Sequence, residues 1–162
     1  MADQDLIIYE TEVVKIEALM QRALKGAQGK CALLVDKDGH MLARQGFTSS
    51  LDTTALSALL AGSFASTKEI ARLVGESEFS VLFHQGKKDH IHMSLIGERA
   101  ILAIIFDDRT TVGMVRLYAK EVAEALTQIL CDAEKSSRGP QPGLQAGFAA
   151  SAQERLDDIF RE

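Results

Sequence analysis

Proline is almost missing from this chain. Two occur in 162 residues, Pro140 and Pro142, so residues 1–139 contain none. Three of the twelve glycines, Gly139, Gly143 and Gly147, share that neighbourhood. Proline and glycine punctuate regular structure, so their crowding there predicts one folded body over 1–135, a flexible linker over 136–150 and a short amphipathic segment over 151–162. Tryptophan is absent, and only two cysteines occur. Cys31 and Cys131 lie too far apart for a zinc knuckle or a C-x-x-C pair, so both read as reduced thiols filling small core positions.

Other absences exclude whole classes. No apolar run approaches the ~20 residues of a membrane helix; the longest, Ala100–Phe106, is one strand long. The opening MADQDLIIYE carries acids where a secretory signal carries lysine or arginine. Eighteen basic against 23 acidic residues leave a formal charge of −5. That balance lacks the dense Lys/Arg patches that hold nucleic acid or anionic membranes. A cytoplasmic protein with no nucleic-acid and no membrane partner is the expectation.

Catalytic signatures are lacking too. Asp36-Lys37-Asp38-Gly39 and Gly86-Lys87-Lys88-Asp89 look like fragments of GTPase motifs, but no G-x-x-x-x-G-K-[ST] exists to cradle phosphate. Gly26-Ala27-Gln28-Gly29-Lys30 has the wrong spacing and is followed by Cys31 in place of a hydroxyl. Both matches read as hairpin turns. No G-x-S-x-G elbow occurs, and Asp107-Asp108 and Asp157-Asp158 read as solvated acids. His84, His90 and His92 fall within one hairpin, and imidazoles make good metal ligands. A square register sets Gln85 against His90 and His84 against Ile91, which turns His84 away from the other two; a one-residue slip would gather all three. With no carboxylate or cysteine placed to complete a site, an exposed strand is the preferred reading. No catalytic residue, metal or cofactor is assigned.

What is present is clear periodicity. Val13, Ile16, Met20, Ala23 and Leu24 step by three and four, as one face of a helix does, and Gly26 and Gly29 are expected to stop it. Residues 31–35 and 41–45 flank the Asp38-Gly39 turn as strands. A long helix follows, capped by Asp52 or Thr53 and closed by Gly75. Phe79, Val81 and Phe83 alternate, as do Ile91, Met93 and Leu95, and Ala100–Phe106 is apolar on both faces, the mark of a central strand. Val115, Ala119, Val122, Leu126 and Ile129 then define a last helix ending before Ser136. The fold class is α+β, a five-stranded antiparallel sheet in the order α-β-β-α-β-β-β-α.

The second helix is the informative element. With residues spaced about 100° apart, Leu56, Leu59, Leu60, Ile70, Ala71 and Val74 form one core-facing stripe, with Phe64 at its margin. Ala58, Ala61, Gly62 and Ala65 occupy the other side and run on into Lys68, Glu69 and Arg72. Gly62 costs about 0.8–1 kcal/mol there against alanine. A smooth surface of small residues lets another backbone approach, so a protein contact is expected on it.

Leu33-Leu34-Val35-Asp36-Lys37-Asp38-Gly39, Leu51-Asp52-Thr53-Thr54-Ala55-Leu56 and Leu60-Ala61-Gly62-Ser63, in this element order, resemble the Roadblock/LC7 superfamily. Phe83-His84-Gln85-Gly86, Ile104-Ile105-Phe106-Asp107-Asp108-Arg109-Thr110, Gly113-Met114-Val115-Arg116-Leu117 and Leu156-Asp157-Asp158-Ile159-Phe160 are similar to its bacterial gliding-motility branch. The resemblance implies a homodimer in which the third strand and second helix meet their copies, extending the sheet. It implies a platform for a Ras-like small GTPase of the MglA type, bound one per dimer. Such dimers activate GTP hydrolysis without an arginine finger, by repositioning the GTPase's own catalytic residues, in cell polarity and gliding motility at a cell pole. Carried over residue by residue, the platform falls on Ala58, Ala61, Gly62, Ala65 and Glu69, and a second GTPase contact on Leu156, Ile159 and Phe160. Phe64, Ser66 and Thr67 depart from the small residues usual there, and Phe64 at the platform edge is expected to alter which GTPase fits. The alternatives are a scaffold that binds a GTPase or motor component without stimulating it, and a small-molecule sensor.

Overall fold

A computed structural model describes residues 6–138 of the chain. Its elements are α1 (Glu10–Ala27), β1 (Cys31–Asp36), β2 (Met41–Gly46), α2 (Thr53–Val74), β3 (Val81–Gln85), β4 (His90–Ile96), β5 (Ala100–Phe106) and α3 (Val112–Arg138). The strands form one antiparallel sheet in the order β2-β1-β5-β4-β3. The two-faced apolar run is the middle strand, buried along all seven residues.

Local chemistry sets the element boundaries. Asp52 caps α2, its carboxylate accepting from the Ala55 N–H at 3.0 Å. Gly75 ends α2 in the left-handed conformation, φ 80°. The β1–β2 turn is held by Asp36, which accepts from the Asp38 and His40 N–H groups at 2.9 and 2.8 Å, while Gly39 takes φ 94°. Three boundaries differ from expectation. α1 passes through Gly26 to Ala27 and is capped by Gln28 at φ 54°. Gly26 has a packing reason, because a Cβ there would collide with the Tyr118 ring of α3. β3 begins at Val81, two residues beyond Phe79. α3 continues to Arg138, so 136–138 are helix and not linker. Ser136 and Ser137 are accommodated by donating their hydroxyls to the carbonyls of Asp132 and Glu134.

The alternation of β1 and β5 divides the core in two. On one face Ala32, Leu34, Leu102, Ile104 and Phe106 pack with Ile16, Met20, Val115, Val122 and Leu126 of α1 and α3. On the other, Leu33, Val35, Met93, Ile101 and Ala103 pack with Leu60, Ala61 and Phe64 of α2. Arg22 and Glu121 pair across the α1–α3 contact, and Arg99 bonds Glu134 at 3.0 Å between the β4–β5 turn and α3. Among the described residues no helix is long and apolar enough to cross a membrane.

Candidate protein-binding face of the second helix

α2 is turned roughly a quarter-turn about its axis from the expected orientation. The residues it buries are Ser57, Leu60, Ala61, Phe64 and Ala71. Ala61, placed on the binding side by its sequence, is 5% exposed and belongs to the core. Its methyl is small enough to let the helix axis lie close to the sheet. Phe64 likewise points inward, so it does not edge an outer platform. Ser57 tolerates full burial because its hydroxyl donates to the Thr53 carbonyl at 2.6 Å. Conversely, Leu59 (69% exposed), Ile70 and Val74, assigned to the core by the wheel, stand in solvent beside Leu73 (75% exposed). Apolar residues span more than half of this helix, and periodicity alone does not say which arc meets the chain's own sheet.

Four predicted platform residues, Ala58, Gly62, Ala65 and Glu69, are on the exposed side. Nothing lies within 4 Å of a Cβ built on Gly62, so the groove at that point is open. Glu69 bonds Arg72 at 3.0 Å in solvent. Leu156, Ile159 and Phe160 lie outside the described residues. Sequence reasoning missed the flanking Leu59, Ile70, Leu73 and Val74. Their available signal was an apolar arc too wide for one sheet face. A cavity of about 270 Å³ beside α2 is lined by Ala65, Thr67, Lys68, Glu78, Phe79 and Glu98, which carry charges of both signs.

A second surface of the same character lies at the sheet edge, with its exposed side chains on the face opposite α2. β3 is an edge strand, Val81-Leu82-Phe83-His84-Gln85, with no charged residue and with Val81 and Phe83 exposed. A flat apolar edge of this kind is a template for another strand. The opposite edge, β2, carries Arg44 and adjoins an irregularity in the ladder at Leu34/Val35.

The remaining candidates resolve locally. The hairpin pairs squarely, His84 with Ile91 and Gln85 with His90, so His84 faces away from His90 and His92. His90 and His92 are buried, and His90 Nε2 lies 3.1 Å from Asp108. His92 is held to a pKa of about 4, first by burial and then by the Arg116 charge, and neither ring nitrogen has a partner. Asp107 accepts from the Arg109 side chain and backbone, hydrogen bonds that lower its pKa. Cys31 is buried in β1, and desolvation raises its pKa to about 11, which leaves an inert thiol. Cys131, expected in the core, is exposed on α3.

The Roadblock/LC7 domain profile matches residues 15–106, from α1 through β5. Among solved structures, MglB of Myxococcus xanthus is 42% identical, with a TM-score of 0.74 over 79% of this chain and 96% of that one. The gliding protein MglB of Thermus thermophilus is 28% identical, with a TM-score of 0.74 over 81% and 99% of the two chains. An MglB with a tetrameric arrangement is 29% identical, with a TM-score of 0.77 over 82% and 99%. No curated protein matches. With its profile matched across more than half its length and a 42%-identical relative nearly spanned end to end, the chain belongs to the Roadblock/LC7 family and stands close to the MglB proteins.

Proposed function

We propose that this chain is a homodimeric activator of a Ras-like small GTPase of the MglA type, serving cell polarity or gliding motility. The observation that carries the reading is the outer face of α2, where open Gly62 and small Ala58 and Ala65 lie beside solvent-exposed Leu59, Ile70 and Leu73. A contiguous apolar surface on a soluble domain marks a protein contact. The uncharged β3 edge adds a means of self-association, through which two sheets join and two α2 helices come together. The likeness to MglB proteins, one of them in a tetrameric arrangement, supports both parts.

In this mechanism the GTPase keeps its own catalytic groups. The paired helices bind the hydrolysis-competent switch conformation more tightly than the open one, and the shift in population accelerates turnover. Differential binding by about 1.4 kcal/mol corresponds to tenfold in that population ratio. Leu156, Ile159 and Phe160 supply a second contact, and 139–150 tether it to the 6–138 body. Gly62→Arg is expected to abolish GTPase binding while raising the melting temperature, since it removes a helix-interior glycine at an open position, measured by calorimetry of binding and of melting. Undiminished affinity in that variant would move the interface away from α2. Tight binding by the unaltered protein with no stimulated hydrolysis would leave the scaffold reading in its place.

A further inference from the structure

The sheet has a second incompletely covered surface, on the face opposite α2. There α3 packs along β4 but leaves a groove of about 610 Å³ beside β3, lined by Val81, His92, Ser94, Arg116, Leu117 and Lys120. The apolar part of the lining is exposed at Val81 and Leu117. Its floor holds buried polar atoms without partners, both ring nitrogens of His92 and the Ser94 hydroxyl. Its rim carries two cations one helical turn apart, Arg116 and Lys120, and no ion pair joins either to another described residue. Like charges at that spacing are unfavourable unless an anion lies between them.

The sequence contains a segment of complementary chemistry. Residues 151–162, SAQERLDDIFRE, carry four acids against two arginines, and at helical spacing they place Leu156, Ile159 and Phe160 together. Too short for stable helix alone, such a segment gains order from a surface that covers its apolar side. Its reach suffices. From Lys120 to Arg138 is 138 − 120 = 18 helical residues, about 27 Å. The twelve residues 139–150, when extended, span about 40 Å. A tether of that length sets an effective concentration on the order of 1 mM, enough for even a weak contact to be mostly formed.

We propose that residues 151–162 dock in the β3–α3 groove of the free protein, seating Leu156, Ile159 and Phe160 against Val81 and Leu117 and setting Asp157, on the flank of that apolar side, beside Arg116 and Lys120. This concerns the chain without a GTPase and stands whether or not α2 binds one. Where the same segment also contacts a GTPase, the two sites compete for it.

Thermolysin on the full chain tests this, because it cleaves before leucine, isoleucine and phenylalanine. Leu144 and Phe148 provide internal reference sites in the tether. Initial cleavage at 156–160 is expected to be about tenfold slower than at Leu144 and Phe148, as a docked fraction near nine-tenths requires. The exposed-residue variant R116E/K120E should bring the two rates together, and adding D157K should separate them again, which a misfolded protein would not do. Equal rates in the unaltered chain, as when a second copy fills the groove, would overturn the proposal. So would protection that persists in R116E/K120E.

Discussion

Beneath α1 and α3, the sheet closes its face with Leu34, Leu102, Ile104 and Phe106 against Ile16, Met20 and Leu126, all fully buried or nearly so. On the opposite face α2 covers Leu33, Val35 and Ile101, yet leaves Leu59, Ile70, Leu73 and Val74 in water. The same five strands therefore support one side whose covering helices close over this core and another whose covering helix keeps an outer apolar face that contributes nothing to the isolated fold. Each buried leucine or isoleucine is worth about 1.5–3 kcal/mol, and for Leu59, Ile70 and Leu73 that gain is available only when a second protein covers them. The contrast separates residues that hold the body together from residues proposed to hold a partner.

The largest test of that contrast is in the closed core. Leu102→Ala should lower unfolding free energy by about 2–5 kcal/mol in urea titration; a loss well below that would mean that the closed face is not the stabilising one. Next comes the buried imidazole at its margin. Burial lowers the folded pKa of His92 to about 4, so the unfolded chain, titrating near 6.5, takes up the proton first. The stability that His92 confers is complete above pH 6.5 and lost as pH falls towards 4, by up to about 3 kcal/mol. His92→Leu should remove that component, read as the difference between the two proteins' unfolding free energies across this window.

Smaller effects probe the open face. Gly62→Ala meets nothing within 4 Å and should stabilise the protomer by about 0.8–1 kcal/mol, visible as a raised melting temperature. Leu73→Lys should change protomer stability by less than about 0.5 kcal/mol, because its side chain is already in solvent. In sedimentation velocity the same variant should nonetheless shift the proposed dimer towards monomer. A dimer unaffected by it would separate self-association from this part of α2.

Much of this was legible beforehand. Strand alternation, the Asp52 and Gly75 caps, the central place of Ala100–Phe106 and the square histidine hairpin all rest on local rules, and local rules govern these positions. The orientation of α2 was not legible. Its apolar residues fill two arcs, and which arc meets the sheet depends on long-range packing at Ala61 and Phe64. The wheel therefore exchanged Ala61 for Leu59. The end of α3 was misjudged because Ser136 and Ser137 read as loop, whereas in place each satisfies its hydroxyl on a helical carbonyl. Four of the five platform residues assigned to α2 kept their exposure because the smallest side chains were chosen far from the strongest hydrophobic ones.

Single-turnover GTP hydrolysis by the cognate Ras-like GTPase bears most directly on the function, measured alone, with this protein, and with Gly62→Arg. The expected result is acceleration by the unaltered protein and none by Gly62→Arg, whose melting temperature is not lowered. Unchanged hydrolysis in the presence of saturating, demonstrably bound protein would contradict an activating role, and acceleration by Gly62→Arg would contradict the place given to α2.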